Sequence, residues 1–252
     1  MNKLILSTGS DLNYLSKMRP YLKSIESNSN FDKNILVYVG EDEMSLPYKN
    51  IDVVNLPVNN IQSLNNNKCV QHGDFLNSES FNSITEDSDV IIYTDGDIIL
   101  QRNLSEDEIN FYKSFKDGDV HVGYNASPTD TLGDESKRLG RTNFISSEIN
   151  IDVWENKKVY NTGVLGMNKK TWKYLLKKYN ELYPSVSPMF HHYAKQQWLI
   201  SYIIGTDTSF NIIEMGYDVH NHRHYPSPKG TTQDINGDVY FNDKKVLFKH
   251  KW

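Results

Sequence analysis

The sequence predicts an α/β layered fold in one domain, and three observations carry that expectation. Short β-branched runs alternate along the 252 residues with segments whose apolar positions recur every three or four residues. The composition is 38% hydrophobic and 23% charged, with 16 Tyr, 10 Phe and 4 Trp, which suits a large buried core and argues against disorder. No low-complexity linker and no internal repeat interrupts the alternation, so residues 1–252 read as a single domain.

The elements follow in order. Leu4 to Ser7 is a short apolar run ending in Thr8-Gly9-Ser10-Asp11, which reads as a buried strand and a tight loop. Leu12, Leu15, Met18, Leu22 and Ile25 fall at helical spacing, with Pro20 expected to kink or break the helix. Asn34 to Val39 and Ile51 to Leu56 are β-branched runs bounded by Gly40, Pro47 and Pro57, which suits two strands. The Asn-rich stretch from Asn59 to Asn67 reads as a loop before a helix carrying Cys69, Val70, Phe75 and Leu76. Asp89 to Tyr93 is the clearest buried strand and runs straight into Thr94-Asp95-Gly96-Asp97.

Val120 to Tyr124 is a further strand, after which Asn125 to Lys158 is polar and turn-rich; loops of this length are usually functional or disordered, and this one reads as a substrate-side excursion. Tyr160 to Met167 reads as a strand with two internal glycines. Asn168 or Thr171 can cap the next helix, whose apolar face is Trp172, Leu175, Leu176, Tyr179, Leu182 and Tyr183 and which Pro184 should stop. A second helix spans about Met189 to Ile204, followed by short strands near Phe210 to Glu214, Asp238 to Phe241 and Lys245 to His250.

A formal charge of -5 lacks the cationic footprint that nucleic-acid binding needs. The single Cys69 excludes an internal disulfide, and no apolar run is long enough to span a membrane. The start, MNKLILSTGSDLNYL, is too short in its apolar run for a signal peptide, so a cytoplasmic location is the expectation.

Asp95 and Asp97 carry the strongest chemical signal. Two carboxylates one residue apart on extended backbone project to one side, and Gly96 eases a local turn. Their oxygens suit a hard divalent cation such as Mn²⁺ or Mg²⁺, which keeps coordination positions for phosphate oxygens. A calcium loop fits poorly: Glu106 is twelfth from Asp95, but Ile99 and Leu100 stand where an oxygen ligand and a glycine are needed.

The strand followed by YTDGDIIL resembles the DxD segment of GT-A glycosyltransferases, in particular glycosyltransferase family 8 and its relatives. STGSDLNY, NTGVLGM and a C-terminal His-containing strand follow that family's order and extend the resemblance over most of the chain. It implies a Rossmann-like nucleotide-diphospho-sugar transferase domain with a mixed central sheet flanked by helices. Residues 1–124 would mainly bind nucleotide, and 125–252 would supply the acceptor side and a metal-ligand strand.

The resemblance further implies metal ligation by Asp95, Asp97 and His250. It implies donor contacts from Thr8, Gly9, Asp11, Asn13, Tyr14, Gln71, Asp95, Gly96, Asn161, Thr162, Gly163, Lys249 and Lys251. Gln196 and Gln197 stand on the helix that carries an Asp-Gln pair in the family, with Lys195 in place of the acid. Asp130, Asp134, Glu148 and Asp152, in the polar excursion, are candidates for a general base if the reaction inverts configuration, with Asp152 placed first. Arg138 and Arg141 could close over phosphate, and His72 and Asp74 lie beside Gln71. His220, His222 and His224 compete with His250 for the metal, or could form a zinc site of their own.

The implied reaction moves a sugar from a nucleotide-sugar, UDP-sugar favoured, to a hydroxyl of a glycan, protein or lipid-linked acceptor. Two rival readings stay open. A sugar nucleotidyltransferase would need a basic, Gly-rich first loop, which STGSDLNY lacks; a carbohydrate- or nucleotide-binding module of the same fold would bind without turnover.

Overall fold

The computed structural model describes residues 2–40, 44–56, 82–125, 127–138, 155–186, 194–221 and 228–250, and in 11–13, 186 and 194–195 the backbone only. In chain order its first strands are β1 (Leu4–Asp11), β2 (Lys33–Val39), β3 (Asp52–Leu56), β4 (Val90–Thr94), β5 (Ile98–Leu100), β6 (Asp119–Tyr124), β7 (Tyr160–Asn168) and β8 (Asn211–Met215). Seven of these form one sheet in the order β3-β2-β1-β4-β7-β6-β8. Neighbours run parallel except where β7 meets β4 and β6. Strands from both sides of residue 124 therefore interleave in one mixed sheet.

These strands read as continuous apolar runs because both faces of the sheet are covered. Side chains alternate across the pleat, so Ile5, Ile91 and Tyr93 enter one core while Leu4, Leu6, Val90 and Ile92 enter the other. The first core is closed by α5 (Lys169–Val186) and α6 (Ala194–Thr206), through Trp172, Leu175, Trp198 and Leu199. The second is closed by α2 (Arg19–Asn28), which follows the single turn α1 (Leu12–Leu15), and by α3 (Glu106–Lys113). A further helix, α4 (Leu132–Arg138), lies within the segment read as a polar excursion and buries Leu132, Glu135 and Ser136.

Several expectations change at the element ends. Thr8, Gly9 and Ser10 are not a loop: they continue β1, paired with Leu36, Val37 and Tyr38 of β2. Of the kink or break expected at Pro20, the structure has the break: the chain forms two helices, with Pro20 in the first turn of α2, where its missing N–H costs no bond. Pro184 sits inside the last turn of α5, which ends two residues later at Val186; so close to the end, it removes little of the ladder. Asn168 is the residue that caps α5, its Oδ1 accepting from Thr171 N at 2.8 Å. Unforeseen α3 has a reciprocal cap: Ser105 Oγ accepts from Glu108 N at 3.2 Å and Glu108 Oε2 from Ser105 N at 2.7 Å. The helix expected around Cys69 lies outside the described residues, and so does the start of the one expected from Met189.

The chain closes with β9 (His220–Asn221), β10 (Thr231–Gln233), β11 (Val239–Phe241), β12 (Lys244–Lys245) and β13 (Phe248–His250). β5, β13 and β9 make one small sheet, and β10, β11 and β12 another. Gln101, 4% exposed, ties them together. Its Nε2 donates to Val239 O at 3.2 Å and Val246 O at 3.0 Å, and its Oε1 accepts from Val239 N at 2.8 Å. Among the described residues no helix is long and apolar enough to cross a membrane.

Replacing Gln101 with Leu strands these backbone groups in the interior. Each buried unsatisfied group costs about 1–3 kcal/mol, so Gln101→Leu is expected to lose about 3 kcal/mol and to lower the unfolding midpoint by roughly 6–12 °C. A midpoint within 2 °C of wild type in differential scanning calorimetry would show that water replaces the amide at about no cost.

Candidate functional site

β1 has β2 and β3 on one side and β4 on the other, so the connections leave it in opposite directions. In a parallel α/β sheet a crevice opens at such a point, outside the carboxyl ends of the strands. Asp95, Gly96 and Asp97 follow directly on β4 at that edge. They are not extended backbone, as the spacing suggested. Ile98 N donates to Asp95 O at 3.1 Å, closing a four-residue turn, while Asp95 N donates to Gly163 O of β7 at 2.8 Å. Gly96 is required by space rather than by a left-handed φ: a Cβ there would lie 2.7 Å from Tyr14 Cε1 and 2.8 Å from Met18 Cγ.

The turn feeds β5, and β5 fixes the third member of the site. Antiparallel pairing of β5 with β13 sets Ile98 opposite His250 and Leu100 opposite Phe248. His250 is thereby delivered beside Asp97, with Nε2 at 3.9 Å from Asp97 Oδ1. Gly163 makes room for the imidazole, because a Cβ at that position would come within 2.8 Å of His250 Nε2. One donor atom from each of Asp95, Asp97 and His250 lies within 4.8 Å of the others.

The electrostatics of this cluster ask for positive charge. Burial pushes the Asp95 carboxyl up to about 7, and the neighbouring Asp97 adds to the rise against an opposing hydrogen bond from Tyr93 Oη at 3.1 Å. Burial also raises Asp97. Two carboxylates and an imidazole, converging at a sheet edge, are a donor set for a divalent cation, which would relieve the repulsion between the acids. The residues present fit such an ion.

His220 was a rival ligand, but the structure gives it another place. Its Nε2 lies 3.2 Å from His250 Nδ1, behind the imidazole that faces Asp97. His222 and His224 lie outside the described residues.

Other expected site residues are distributed unevenly. Asn161, Thr162 and Gly163 open β7 at the same edge, and Asn161 Oδ1 accepts from Gly163 N at 2.9 Å, bracing the strand against the turn at Asp95. Gly9 and Thr8 lie in β1, with Thr8 buried beside Tyr21. Tyr14, partly buried, packs its ring edge over Gly96. Lys249 departs from expectation: strand alternation sends it to the face opposite His250, where Nζ donates to Gly237 O at 2.5 Å. Gln196 and Gln197 open α6, and Gln197 Nε2 donates to buried Asn125 Oδ1 at 3.1 Å.

Arg138 is paired with Glu135 rather than standing open over a phosphate. Asp130 and Asp134 accept from the backbone N–H groups of Ser127 and Thr131, both at 3.2 Å, and so act as local caps. Gln71, His72, Asp74, Arg141, Glu148, Asp152 and Lys251 lie outside the described residues, as do the side chains of Asp11, Asn13 and Lys195.

Sequence reasoning missed three features of the site. The Tyr93 hydroxyl on Asp95 depends on the turn that the chain makes directly after β4, which the run of residues did not show. The hydrogen bond between His220 and His250 depends on long-range strand pairing and left no local signal. Nor did Asn125, which joins Gln197 to Glu135 through its Nδ2 at 3.3 Å from Glu135 Oε2.

Comparison with protein-family models returns no match. Comparison with curated proteins returns none either. Among solved structures, the chain is similar to galactosyltransferase LgtC in complex with donor and acceptor sugar analogs, at 13% identity and a TM-score of 0.59, over 98% of this chain and 86% of that one. An active-site mutant of LgtC matches over the same shares at 13% identity and a TM-score of 0.60. At this identity the likeness speaks for architecture alone, and the architecture agrees: a large mixed sheet flanked by helices. The chain has the GT-A fold that LgtC shares.

Proposed function

We propose that this protein is a metal-dependent glycosyltransferase that moves a sugar from a nucleotide-sugar, UDP-sugar favoured, to an acceptor hydroxyl. The observation that carries this reading is the convergence of Asp95, Asp97 and His250 at the carboxyl end of β4, in a fold shared with a galactosyltransferase solved with donor and acceptor analogs. We read the chain as one catalytic domain acting in the cytoplasm.

Asp95, Asp97 and His250 would hold a divalent cation, Mn²⁺ favoured over Mg²⁺ by the imidazole, which supplies Lewis-acid neutralisation of a diphosphate leaving group. Tyr93 fixes the Asp95 carboxyl by its hydrogen bond. Gly163 lets backbone and imidazole approach closely, and Asn161 and Thr162, at the same strand end, would face the sugar. The acceptor hydroxyl attacks the anomeric carbon, the bond from that carbon to the phosphate oxygen breaks, and the nucleoside diphosphate departs. Asp152 is the candidate to receive the hydroxyl proton. The LgtC variant carries a Gln-to-Glu change in its active site, which supports a glutamine near the reacting atoms. Gln196 is the better candidate here, since the Gln197 amide already donates to Asn125.

Thermal unfolding with UDP and Mn²⁺ tests the donor site. A ligand at about a hundred times its dissociation constant adds about 2.7 kcal/mol, expected to raise the midpoint by roughly 5–10 °C. Asp97→Asn should remove the Mn²⁺-dependent part of the shift and the hydrolysis of UDP-sugar, with the fold intact. Normal activity in that variant, or no shift of the wild type with any nucleoside diphosphate, would sink the proposal in favour of a module without turnover.

The apo protein carries a second signature. The Asp95 carboxyl titrates near 3.8 when unfolded and near about 7 when folded, so the stability it allows is complete below pH 4 and is lost as the pH rises through 7. In EDTA, Asp95→Asn should therefore unfold at a higher temperature than wild type at pH 8, with the gap shrinking toward pH 5. Saturating Mn²⁺ should stabilise wild type at pH 8 and leave the variant unmoved. A gap that is constant with pH would contradict the raised carboxyl.

A further inference from the structure

We propose that His220 is a positioning residue for the metal centre: it accepts a hydrogen bond from His250 Nδ1 and thereby holds the His250 ring with Nε2 toward Asp95 and Asp97. The inference rests on the metal-centre reading and adds a member that resemblance did not supply.

Three independent features place the pair. The first is register. β9 runs parallel to β13 with His220 opposite Phe248, and Phe248 N donates to Val219 O at 2.8 Å. Residues two apart share a strand face, so His220 and His250 become diagonal neighbours on one side. Their ring centroids are 5.0 Å apart, inclined at 47°. The second is space. A Cβ on Gly123 would lie 2.4 Å from His220 Nδ1, and one on Gly163 would lie 2.8 Å from His250 Nε2. Two glycines on neighbouring strands of the main sheet thus form a slot that admits two imidazoles. The third is burial: His220 is 2% exposed and His250 7% exposed, so water has little access to replace the contact between them.

The hydrogen bond selects a tautomer. At 3.2 Å, one of His220 Nε2 and His250 Nδ1 carries the proton and the other accepts it. When His250 Nδ1 donates, its Nε2 holds a lone pair directed at the acidic turn, which is the form that ligates a cation. When His220 Nε2 donates instead, the His250 proton moves to Nε2 and blocks ligation. Cation binding and the His250-to-His220 hydrogen bond therefore favour one another. The same bond occupies His220 Nε2, so His220 supports the ligand rather than replacing it.

The test is Mn²⁺ binding to the nucleotide-free protein by isothermal titration calorimetry, with His220→Phe, His220→Leu and His220→Gln. Phe keeps a ring in the slot, Leu keeps apolar volume should Phe not fold, and Gln restores an acceptor near the Nε2 position. The expected result is a 10- to 100-fold weaker Mn²⁺ affinity for Phe and Leu, with cooperative unfolding retained in EDTA, and a Gln variant within about fivefold of wild type. Wild-type affinity in the Phe variant, alongside loss in Asp97→Asn, would make His220 mere packing and overturn the inference while keeping the metal centre. A Gln variant as weak as Phe would overturn the acceptor role in favour of His220 as a ligand. Failure of wild type to bind Mn²⁺ at all would overturn the metal centre itself, and this inference with it.

Discussion

The site depends on one piece of strand pairing, the antiparallel contact between β5 and β13. β5 is three residues long and begins immediately after the acidic turn, so whatever pairs with it is held against that turn. The pairing is driven by burial rather than by polar design: Ile98, Leu100, Leu247 and Phe248 are fully buried in the second core. A slip of one residue would move every side chain of β13 to the other face, exposing Phe248 and withdrawing His250 from Asp97. Apolar burial of His250's own strand thus sets the position of a polar imidazole, and Gln101 secures the strand's approach by holding Val239 and Val246.

Glycine does the complementary work. At Gly96, Gly123 and Gly163 the neighbouring group is a ring, from Tyr14, His220 and His250 in turn, at distances that no Cβ would tolerate. None of the three needs a left-handed backbone. They are absences of side chain that let rings sit against strand ends, so their selection is steric and is decided by residues far away in sequence.

The cluster is also in electrostatic conflict with the fold that carries it. Burial and the charge of Asp97 raise the proton affinity of Asp95, burial raises that of Asp97, and alone the two acids destabilise the folded state at neutral pH. Tyr93 offsets part of this, and a cation would offset more. The cost is local, since both cores on either side of the sheet are apolar and complete without the acids.

Much of this was legible in the sequence. The buried strands, the apolar face of α5, the Asn168 cap and the acidic turn at the end of β4 are local facts, written in runs, spacing and capping chemistry. A resemblance carried by YTDGDIIL pointed to the fold that the solved structures support. What the local pattern misjudged were the ends of elements: β1 runs on through Thr8-Gly9-Ser10 because β2 offers partners to those backbone groups, which no run of residues reveals. Lys249 and His250 are adjacent in sequence, yet opposite faces of one strand separate them, and only the pairing of β13 says which side meets the acids. By itself the sequence determined the strands of the main sheet, the apolar face of α5, the acidic pair and the candidate imidazoles; the tertiary structure alone decided that His250 faces Asp97 with His220 behind it, because strand register between distant segments is a property of the packed sheet and not of any stretch of chain.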